Sequence, residues 1–228
     1  MIKKNLNIFL VDDHPSVIEA YSNFLKQFEI MNPNFKLNIS TAMCFDSATN
    51  AISKIHQNKN DTIDVALIDM RLPRLQNGKY SSGEDLCIIL KKIFPKIKTI
   101  IITGHYETLI LSNVLQNVNP DAMILKGDVQ SKIIFDALTK VLKNEPYYSI
   151  SVLNLLRKKI SSNISIEPVD KLMLYELWKG TKTKDLVNHL PLSMGAIEKR
   201  KRNLRLKFSA NQKDDDMLIN LILEKGFL

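Results

Sequence analysis

The feature that most constrains the fold is a series of short apolar runs, rich in Val, Ile and Leu, with enough chain between them for a helix. Runs of this length and composition predict buried parallel strands joined by helices. A less regular run at about 36–43 predicts one further strand. We therefore expect an α/β protein with a (βα)5 doubly wound parallel sheet, covered by helices on both faces. The four regular runs, which predict the remaining strands, lie at 7–11, 63–68, 99–102 and 121–125.

Each of these four runs ends at, or is directly followed by, a polar side chain. Ligands of an open α/β sheet bind beyond the carboxyl ends of its strands, so these groups are expected to converge. Three carboxylates, a hydroxyl and an ammonium would meet there, and crowded carboxylates require a cation. Hard oxygen ligands of this kind favour Mg²⁺. The residues are Asp12, Asp13, Asp69, Thr103 and Lys126.

The composition is that of an ordinary globular protein, and it excludes several classes. The 228 residues suffice for two modest domains. Cys44 and Cys87 have no motif spacing, which excludes a disulfide framework and indicates a reducing compartment. No apolar stretch approaches the roughly 20 residues that span a bilayer, and the N-terminus enters a strand without a cleavable leader. These features predict a cytoplasmic protein that does not enter a membrane.

Helical periodicity and chain breaks divide the sequence into two domains. Helix-type patterns alternate with the strands of the first part, and Pro146 follows the end of the last one. We assign residues 1–145 to the α/β domain, 146–166 to a linker with a short helix at 153–160, and 167–228 to a second domain. The helices expected in the first domain cover about 15–28, 48–55, 83–94, 107–117 and 130–143.

Only helical periods occur in the second part, which predicts an all-α domain of four helices. The second of these is short and begins at Lys182 or Thr183. A turn follows, and Ser193 is a suitable N-cap for the third helix. The other three helices are expected at about 169–178, 194–208 and 214–225.

Positive charge is concentrated in this second part. Residues 1–150 contain 17 Lys and Arg against 15 Asp and Glu, whereas 151–228 contain 15 against 9. Six cations fall within nine residues of the third helix. A short helix, a turn and a cationic helix fit the major groove of DNA, although a helix kept soluble by its lysines is the alternative. The cations are Lys199, Arg200, Lys201, Arg202, Arg205 and Lys207.

The third and fourth helices also differ in their apolar faces. A helical wheel places an apolar stripe of the third helix opposite a polar face that contains Gly195, Glu198, Lys199 and Arg202. The fourth helix is apolar most of the way around, so one stripe can pack on the domain and the other can meet a second copy. Packing within the domain alone is the alternative.

Residues 1–145 resemble the receiver domains of bacterial two-component systems, which have a flavodoxin-like fold. The segment VDDHP at 11–15 resembles the acidic-pair motif, and LIDMRLP at 67–73 resembles the acceptor motif. Thr103-Gly104 and Leu125-Lys126 match the two remaining signature positions.

The resemblance implies that Asp69 is the nucleophile that accepts a phosphoryl group from a histidine kinase. Thr103 and Lys126 would share the oxygens of that group. Rotation of Thr103 would then carry the signal to the face formed by the fourth helix, fifth strand and fifth helix. Mg²⁺ would be held by Asp12 (partly through water), Asp13, Asp69 and the backbone carbonyl of Arg71.

Residues 165–228 resemble the LuxR/NarL-type (GerE-like) helix-turn-helix domain, with matching spacing through 180–186, 192–193 and 196–204. Nearly the whole chain is thus identified as similar to a two-component response regulator. This implies binding of double-stranded DNA in the major groove, a role in transcription regulation, and a homodimer when active. The implied DNA-contacting residues are Lys182, Lys184, Glu198, Lys199, Arg200, Lys201, Arg202 and Arg205.

The chain departs from the family pattern at three places. Met123 occupies the position of a switch aromatic and lacks the two-position rotamer of an aromatic ring, so we expect different coupling of phosphorylation to output. The segment 74–82 is longer than the usual loop and predicts a mobile cover over the site. Ala196 and Glu198 replace the usual Thr and Lys, and Glu198 would repel phosphates but can accept from a cytosine amino group.

Two other classes of function are consistent with parts of the sequence. A dehalogenase-like phosphohydrolase would need a second aspartate two residues after the nucleophile, where this chain has Arg71, so we predict that it is not an enzyme. The other alternative is a protein-interaction module whose receiver no longer switches or whose basic domain binds a protein, and Met123 and Glu198 favour it.

Overall fold

A computed structural model of the protein describes residues 3–58, 61–73, 80–104, 108–161, 166–208, 210 and 215–224. The chain divides into two compact units, Met1–His105 with Asn113–Leu153, and Tyr106–Ser112 with Asn154–Leu228. The second range of the second unit begins within the segment predicted as a linker. The domain limits assigned from the sequence stay a prediction.

A parallel sheet forms the centre of the first unit. The strands are β1 (Lys4–Val11), β2 (Phe35–Ala42), β3 (Val65–Asp69), β4 (Arg71–Pro73), β5 (Tyr80–Ser82), β6 (Lys98–Thr103), β7 (Ala122–Leu125) and β8 (Tyr147–Tyr148). Six of them form a sheet of order β2-β1-β3-β6-β7-β8 in which all neighbours are parallel. The remaining two, β4 and β5, form an antiparallel hairpin. The predicted α/β class is confirmed.

Helices follow the parallel strands, and local chemistry explains where several of them begin. Pro15 occupies the first turn of α1, where a missing N–H leaves no carbonyl unpaired. The Sγ of Cys44 accepts from the N–H of Ser47, whose hydroxyl accepts from the Cys44 N–H, so the start of α2 is capped reciprocally. The helices are α1 (Pro15–Met31), α2 (Phe45–Gln57), α3 (Gly83–Ile93), α4 (Thr108–Asn117) and α5 (Ser131–Leu142).

The sheet is buried by helices, as its apolar strands require. All five residues of β3 are buried, which is the pattern of a parallel strand covered on both faces. Helices α1 and α5 contact each other, and the core that they form with the sheet includes Leu25, Phe28 and Leu138. Helices α2 and α3 form a second contacting pair with buried apolar residues.

Three features of the first unit differ from the prediction. Strand β8 adds a sixth strand, which two residues are too few to show by periodicity. Asn144 (φ 62°) precedes it in the left-handed region, where the chain leaves α5. Part of the predicted cover at 74–82 is the ordered strand β5, whereas 74–79 lie outside the described residues. Lys126–Asp128 form a 3-10 helix directly after β7.

The second unit is helical, as predicted. Its elements are the end of α6 (Ile150–Ser161), α7 (Pro168–Trp178), a 3-10 helix (Thr183–Asn188), α8 (Met194–Phe208) and α9 (Asp215–Glu224). The 3-10 helix stands where we expected a short α-helix, because so few residues do not establish repeated α-helical hydrogen bonds.

A single apolar cluster holds α7, the 3-10 helix, α8 and α9 together. It is built from buried residues that include Leu174, Leu186, Ile197, Leu218 and Ile222. The second apolar stripe of α9 is also present, since Met217 and Leu223 are exposed. Within the described residues, none of the helices combines the length and the hydrophobicity that a membrane span requires.

Candidate functional site

The register of the sheet brings the polar strand ends to one edge. Val11 of β1 is paired with Ile68, so Asp12 stands beside Asp69 in the next position. Asp69 is in turn paired with Ile102, the residue before Thr103. Thr103 is paired with Leu125, the residue before Lys126. The predicted convergence of these side chains therefore follows from pairing across four neighbouring strands.

Lys126 joins two of these carboxylates. Its Nζ lies 3.0 Å from Oδ2 of Asp12 and 3.0 Å from Oδ2 of Asp69. The two aspartates are only 3% and 5% exposed, respectively. Such buried charges need a partner, and the ammonium group supplies a shared one.

Burial and charge act in opposite directions on this pair. Burial raises the pKa of Asp69 and outweighs the hydrogen bonds from Lys126 and from the backbone N–H of Arg71, which lower it. For Lys126, burial lowers the pKa, but the hydrogen bonds to Asp12 and Asp69 outweigh it, so the net pKa is raised. The lysine is therefore held in its charged form.

The residues that follow β1 form a small acidic cluster. One ligand atom each from Asp12, Asp13 and His14 lie within 4.8 Å of one another. His14 Nδ1 is 2.7 Å from Asp13 Oδ1, but it is aligned with Asp12 Oδ1 at 3.3 Å. Asp13 Oδ1 is therefore buried without a hydrogen-bond partner among the described residues. A buried carboxylate oxygen that has no hydrogen bond, and whose close neighbour is a histidine ring, fits a cation ligand.

Gly83 is part of this site, although its sequence context does not indicate so. A Cβ built on Gly83 would lie 2.2 Å from the backbone oxygen of Asp69. Its N–H donates to the carbonyl of Met70 at 2.8 Å, so α3 begins directly against the end of β3. A glycine is needed here because the two backbones approach too closely for a side chain.

The outer face of α8 is the second candidate site. Gly195, Glu198, Lys199 and Arg202 are all exposed, as the helical wheel predicts. They line a groove of about 420 Å³ together with Arg205, Leu206 and Ala210. Lys182 and Lys184, near the start of the preceding 3-10 helix, are exposed as well.

Three other cations of α8 bind acidic groups of their own unit. Arg200 Nη1 lies 2.8 Å from Glu167 and 2.9 Å from Asp170. Lys201 is only 3% exposed, and its Nζ contacts Oδ2 of Asp215 at 2.8 Å and the Thr183 hydroxyl at 2.6 Å. The sequence run KRKR therefore does not form one continuous basic surface.

Arg205 is the third of these cations, because it pairs with Asp215 as well as lining the groove. Burial raises the pKa of Asp215, but the hydrogen bonds from Lys201 and Arg205 outweigh this effect and lower the pKa overall. The aspartate thus remains ionised between two cations.

A family model described as the response regulator receiver domain matches residues 8–134, more than half of the chain. The chain belongs to this family. The predicted resemblance of the first part to a receiver is confirmed, and membership places the chain among regulators rather than enzymes.

Similarity to known receiver proteins extends through the second unit. The transcriptional regulatory protein RcsB of Salmonella typhi is 25% identical over 221 residues, which cover 96% of this chain and 94% of that protein. RcsB of Escherichia coli is 24% identical over the same span. A solved structure of two RcsB dimers bound to two parallel DNAs has a TM-score of 0.63 at 24% identity and covers 96% of this chain and 98% of that one. At this identity the structural likeness supports the fold.

Proposed function

We propose that this receiver protein accepts a phosphoryl group on Asp69 from a histidine kinase, and that the modification controls dimerisation and sequence-specific DNA binding. The observation that carries the proposal is the contact of Lys126 Nζ with both Asp69 and Asp12 at the carboxyl edge of the sheet. It joins a buried nucleophile to the cation that a transferred phosphoryl group requires.

The chemistry of the transfer follows from these groups. A carboxylate oxygen of Asp69 attacks the phosphorus of a phosphohistidine, the P–N bond breaks, and the imidazole nitrogen leaves with the electron pair. Lys126 and Thr103 then bind oxygens of the phosphoryl group. Asp13, Asp69 and the Arg71 carbonyl, with Asp12 partly through water, would hold Mg²⁺, which neutralises charge on those oxygens when it is bound.

The DNA-binding part of the proposal rests on α8 and the 3-10 helix before it. Lys199, Arg202, Lys182 and Lys184 are exposed and are proposed to contact phosphates or base edges in the major groove. Arg200, Lys201 and Arg205 are instead proposed to stabilise the unit, since each binds an acidic side chain within it.

The relatives support the output half of the proposal. The solved RcsB structures include dimers bound to DNA and RcsB of Salmonella enterica serovar Typhimurium bound to a promoter in the presence of the phosphomimetic BeF3−. By analogy, we propose that this protein binds double-stranded DNA as a homodimer. We also propose a cytoplasmic location, where the kinase and the genome are both accessible.

The acceptor is tested with a small phosphodonor and Mg²⁺, followed by intact-mass spectrometry. The wild-type protein should gain one phosphoryl group, and Asp69→Asn should gain none. Asp64→Asn is the matched control, because Asp64 precedes the opposite end of the same strand and accepts from the Asn7 N–H. Modification of Asp69→Asn at the wild-type rate would remove Asp69 from the proposal.

A second candidate is a receiver whose phosphorylation does not alter its output. Met123, which stands at the usual switch-aromatic position, favours it: the side chain is fully buried in β7 and paired across to Tyr148. Equal DNA affinity and equal oligomeric state with and without BeF3− would support this candidate over the first.

A further inference from the structure

The outer face of α8 contains one acidic residue, Glu198. Glu198 is exposed, and it makes no hydrogen bond or ion pair within the described residues. By contrast, Glu167, Asp170 and Asp215 each bind a cation of the helix. Glu198 therefore presents a free carboxylate between Lys199 and Arg202.

Gly195, one turn earlier on the same face, has no packing role among the described residues of the unit. A Cβ added there would meet nothing within 4 Å. Gly195 is the second residue of α8, and no contact among the described residues requires a glycine there, so we look for its role outside the unit. The missing side chain allows the start of α8 to approach another surface closely.

These two observations select one kind of contact. A carboxylate on a helix that lies against DNA is repelled by phosphates, and the favourable partner in the major groove is the exocyclic amine of cytosine. Lys199 and Arg202 flank it and supply the compensating attraction to the backbone.

We propose that Glu198 is a specificity-determining residue that accepts a hydrogen bond from a cytosine N4 amino group, with Gly195 permitting the close approach. This inference rests on the proposed DNA-binding function of α8 and names the base that this helix reads.

The test is selection from random double-stranded DNA by the full-length protein in the presence of BeF3− and Mg²⁺. The wild type should enrich cytosine at one position of each half-site, by between about 5-fold and 150-fold over the other bases. Glu198→Gln should shift that position toward adenine, because an amide can both donate to and accept from adenine. Glu198→Ala should lose the preference there and bind non-specific DNA more tightly.

Lys199→Ala is the matched control, because loss of a phosphate contact weakens binding to all sequences equally. A wild-type protein that selects a defined sequence, with the same base at every position for Glu198→Gln and Glu198→Ala, would overturn the inference alone. A wild-type protein that selects no DNA would overturn the proposed function together with it.

A separate network connects the Lys126 turn to α6. Tyr147 and Ser149 donate from their N–H groups to the carbonyls of Asp121 and Met123, each at 3.0 Å. The fully buried Ser149 hydroxyl accepts from the N–H of Leu125 at 3.2 Å. The segment that leads into α6 is thus hydrogen-bonded along β7, the strand that directly precedes Lys126.

Asp128 completes this network. It lies two residues after Lys126, in the same 3-10 turn, and its carboxylate accepts from the N–H of Ser151 at 3.1 Å and from its hydroxyl at 2.7 Å. Burial raises the pKa of Asp128, but hydrogen bonds from Ser149 and Ser151 outweigh it and lower the pKa. An ionised carboxylate therefore caps the first turn of α6.

The geometry points to Asp128 as a positioning residue that couples displacement of Lys126, on phosphorylation of Asp69, to the start of α6. The proposed coupling runs from Lys126 through the chain segment after β7. It therefore does not require an aromatic side chain at the position of Met123. It rests on the proposed phosphorylation of Asp69 and is independent of what α8 binds.

Hydrogen–deuterium exchange at 150–153, with and without BeF3− and Mg²⁺, tests this coupling. The BeF3−-dependent change should be present in the wild type, retained in the control Asp136→Ala on the exposed side of α5, and lost in Asp128→Ala, while all three gain a phosphoryl group equally. A BeF3− response of wild-type size in Asp128→Ala would overturn the coupling. Failure of the wild type to be phosphorylated would instead overturn the proposed function.

Discussion

Lys201 and Asp215 form an ion pair inside the second unit, with Nζ and Oδ2 2.8 Å apart, although Lys201 lies in the most basic run of the chain. The lysine is almost fully buried, and Thr183 of the 3-10 helix accepts a second hydrogen bond from it. The pair connects α8, α9 and the 3-10 helix. Some cations of this run are therefore exposed on an outer surface, and others bind acidic side chains within the unit.

Removing one member of this pair should destabilise the second unit strongly. Asp215→Ala leaves the buried Lys201 ammonium without its carboxylate, which costs about 3–5 kcal/mol. Trp178, the only tryptophan of the chain, lies on α7 and reports unfolding of this unit by fluorescence. The double variant Lys201→Met, Asp215→Leu should recover part of the loss, because the buried ammonium is removed together with its partner, while Arg205 still lacks its carboxylate. Equal stability of Asp215→Ala and wild type would contradict the structural role.

The same aspartate makes stability depend on pH in a defined direction. Because its folded pKa is lowered from 3.8, its contribution is fully present above that value and is lost as the pH falls through the lower folded pKa. Denaturant unfolding followed by Trp178 fluorescence should therefore show a loss of stability in this acidic range. Asp215→Asn should lose less stability over the same range. An identical pH profile for the variant and the wild type would contradict this role of Asp215.

Cations of α8 should separate into two classes by the salt dependence of DNA binding. Lys199→Ala and Arg202→Ala should each reduce the slope of log affinity against log salt by about 1, because each removes a phosphate contact. Arg200→Ala should leave the slope unchanged and lower the unfolding temperature, since Arg200 binds Glu167 and Asp170. Fluorescence anisotropy over a salt series makes the comparison, and a reduced slope for Arg200→Ala would place that side chain on the DNA surface.

Lys126→Ala should separate metal binding from phosphorylation. The ammonium stands 3.0 Å from two carboxylates and repels any cation nearby, so its removal should tighten Mg²⁺ binding roughly 10-fold. The same change should slow phosphoryl transfer, since the charge that stabilises the transferred group is lost. Calorimetric titration with Mg²⁺ and the time course of mass gain measure the two effects. Weaker Mg²⁺ binding in the variant would show that the lysine supports the cation site.

Gly83→Ala should impair both stability and phosphorylation. The new Cβ would stand 2.2 Å from the Asp69 backbone oxygen, so the end of β3 must move, at a cost of about 1–3 kcal/mol. Gly104→Ala is the control, because among the described residues a Cβ there approaches only the Lys126 Cδ, at 4.0 Å. Thermal unfolding and the rate of phosphoryl gain should both separate the two variants. Equal behaviour of the two would show that the backbone yields at Gly83 without cost.

Much of the first unit was predictable from local pattern. Strands β1, β3, β6 and β7, which end at or directly before Asp12, Asp69, Thr103 and Lys126, are largely buried on both faces, so they are continuous apolar runs that stand out against the amphipathic helices. Strand β8 was not predictable, because two residues show no period and their pairing depends on the neighbouring β7. The need for glycine at position 83 likewise depends on a contact with a distant backbone.

The sequence by itself determined the class of fold and the set of polar groups at the sheet edge, because periodicity and the ends of strands are local properties of the chain. Only the tertiary structure decided which cations of α8 face outward. Lys199 and Arg202 are exposed while their neighbours Arg200 and Lys201 bind acids, and those acids come from α9 and from the start of α7. The role of each cation depends on its acidic partner. Asp215 lies 14 residues from Lys201 in the chain, and Asp170 lies 30 residues from Arg200.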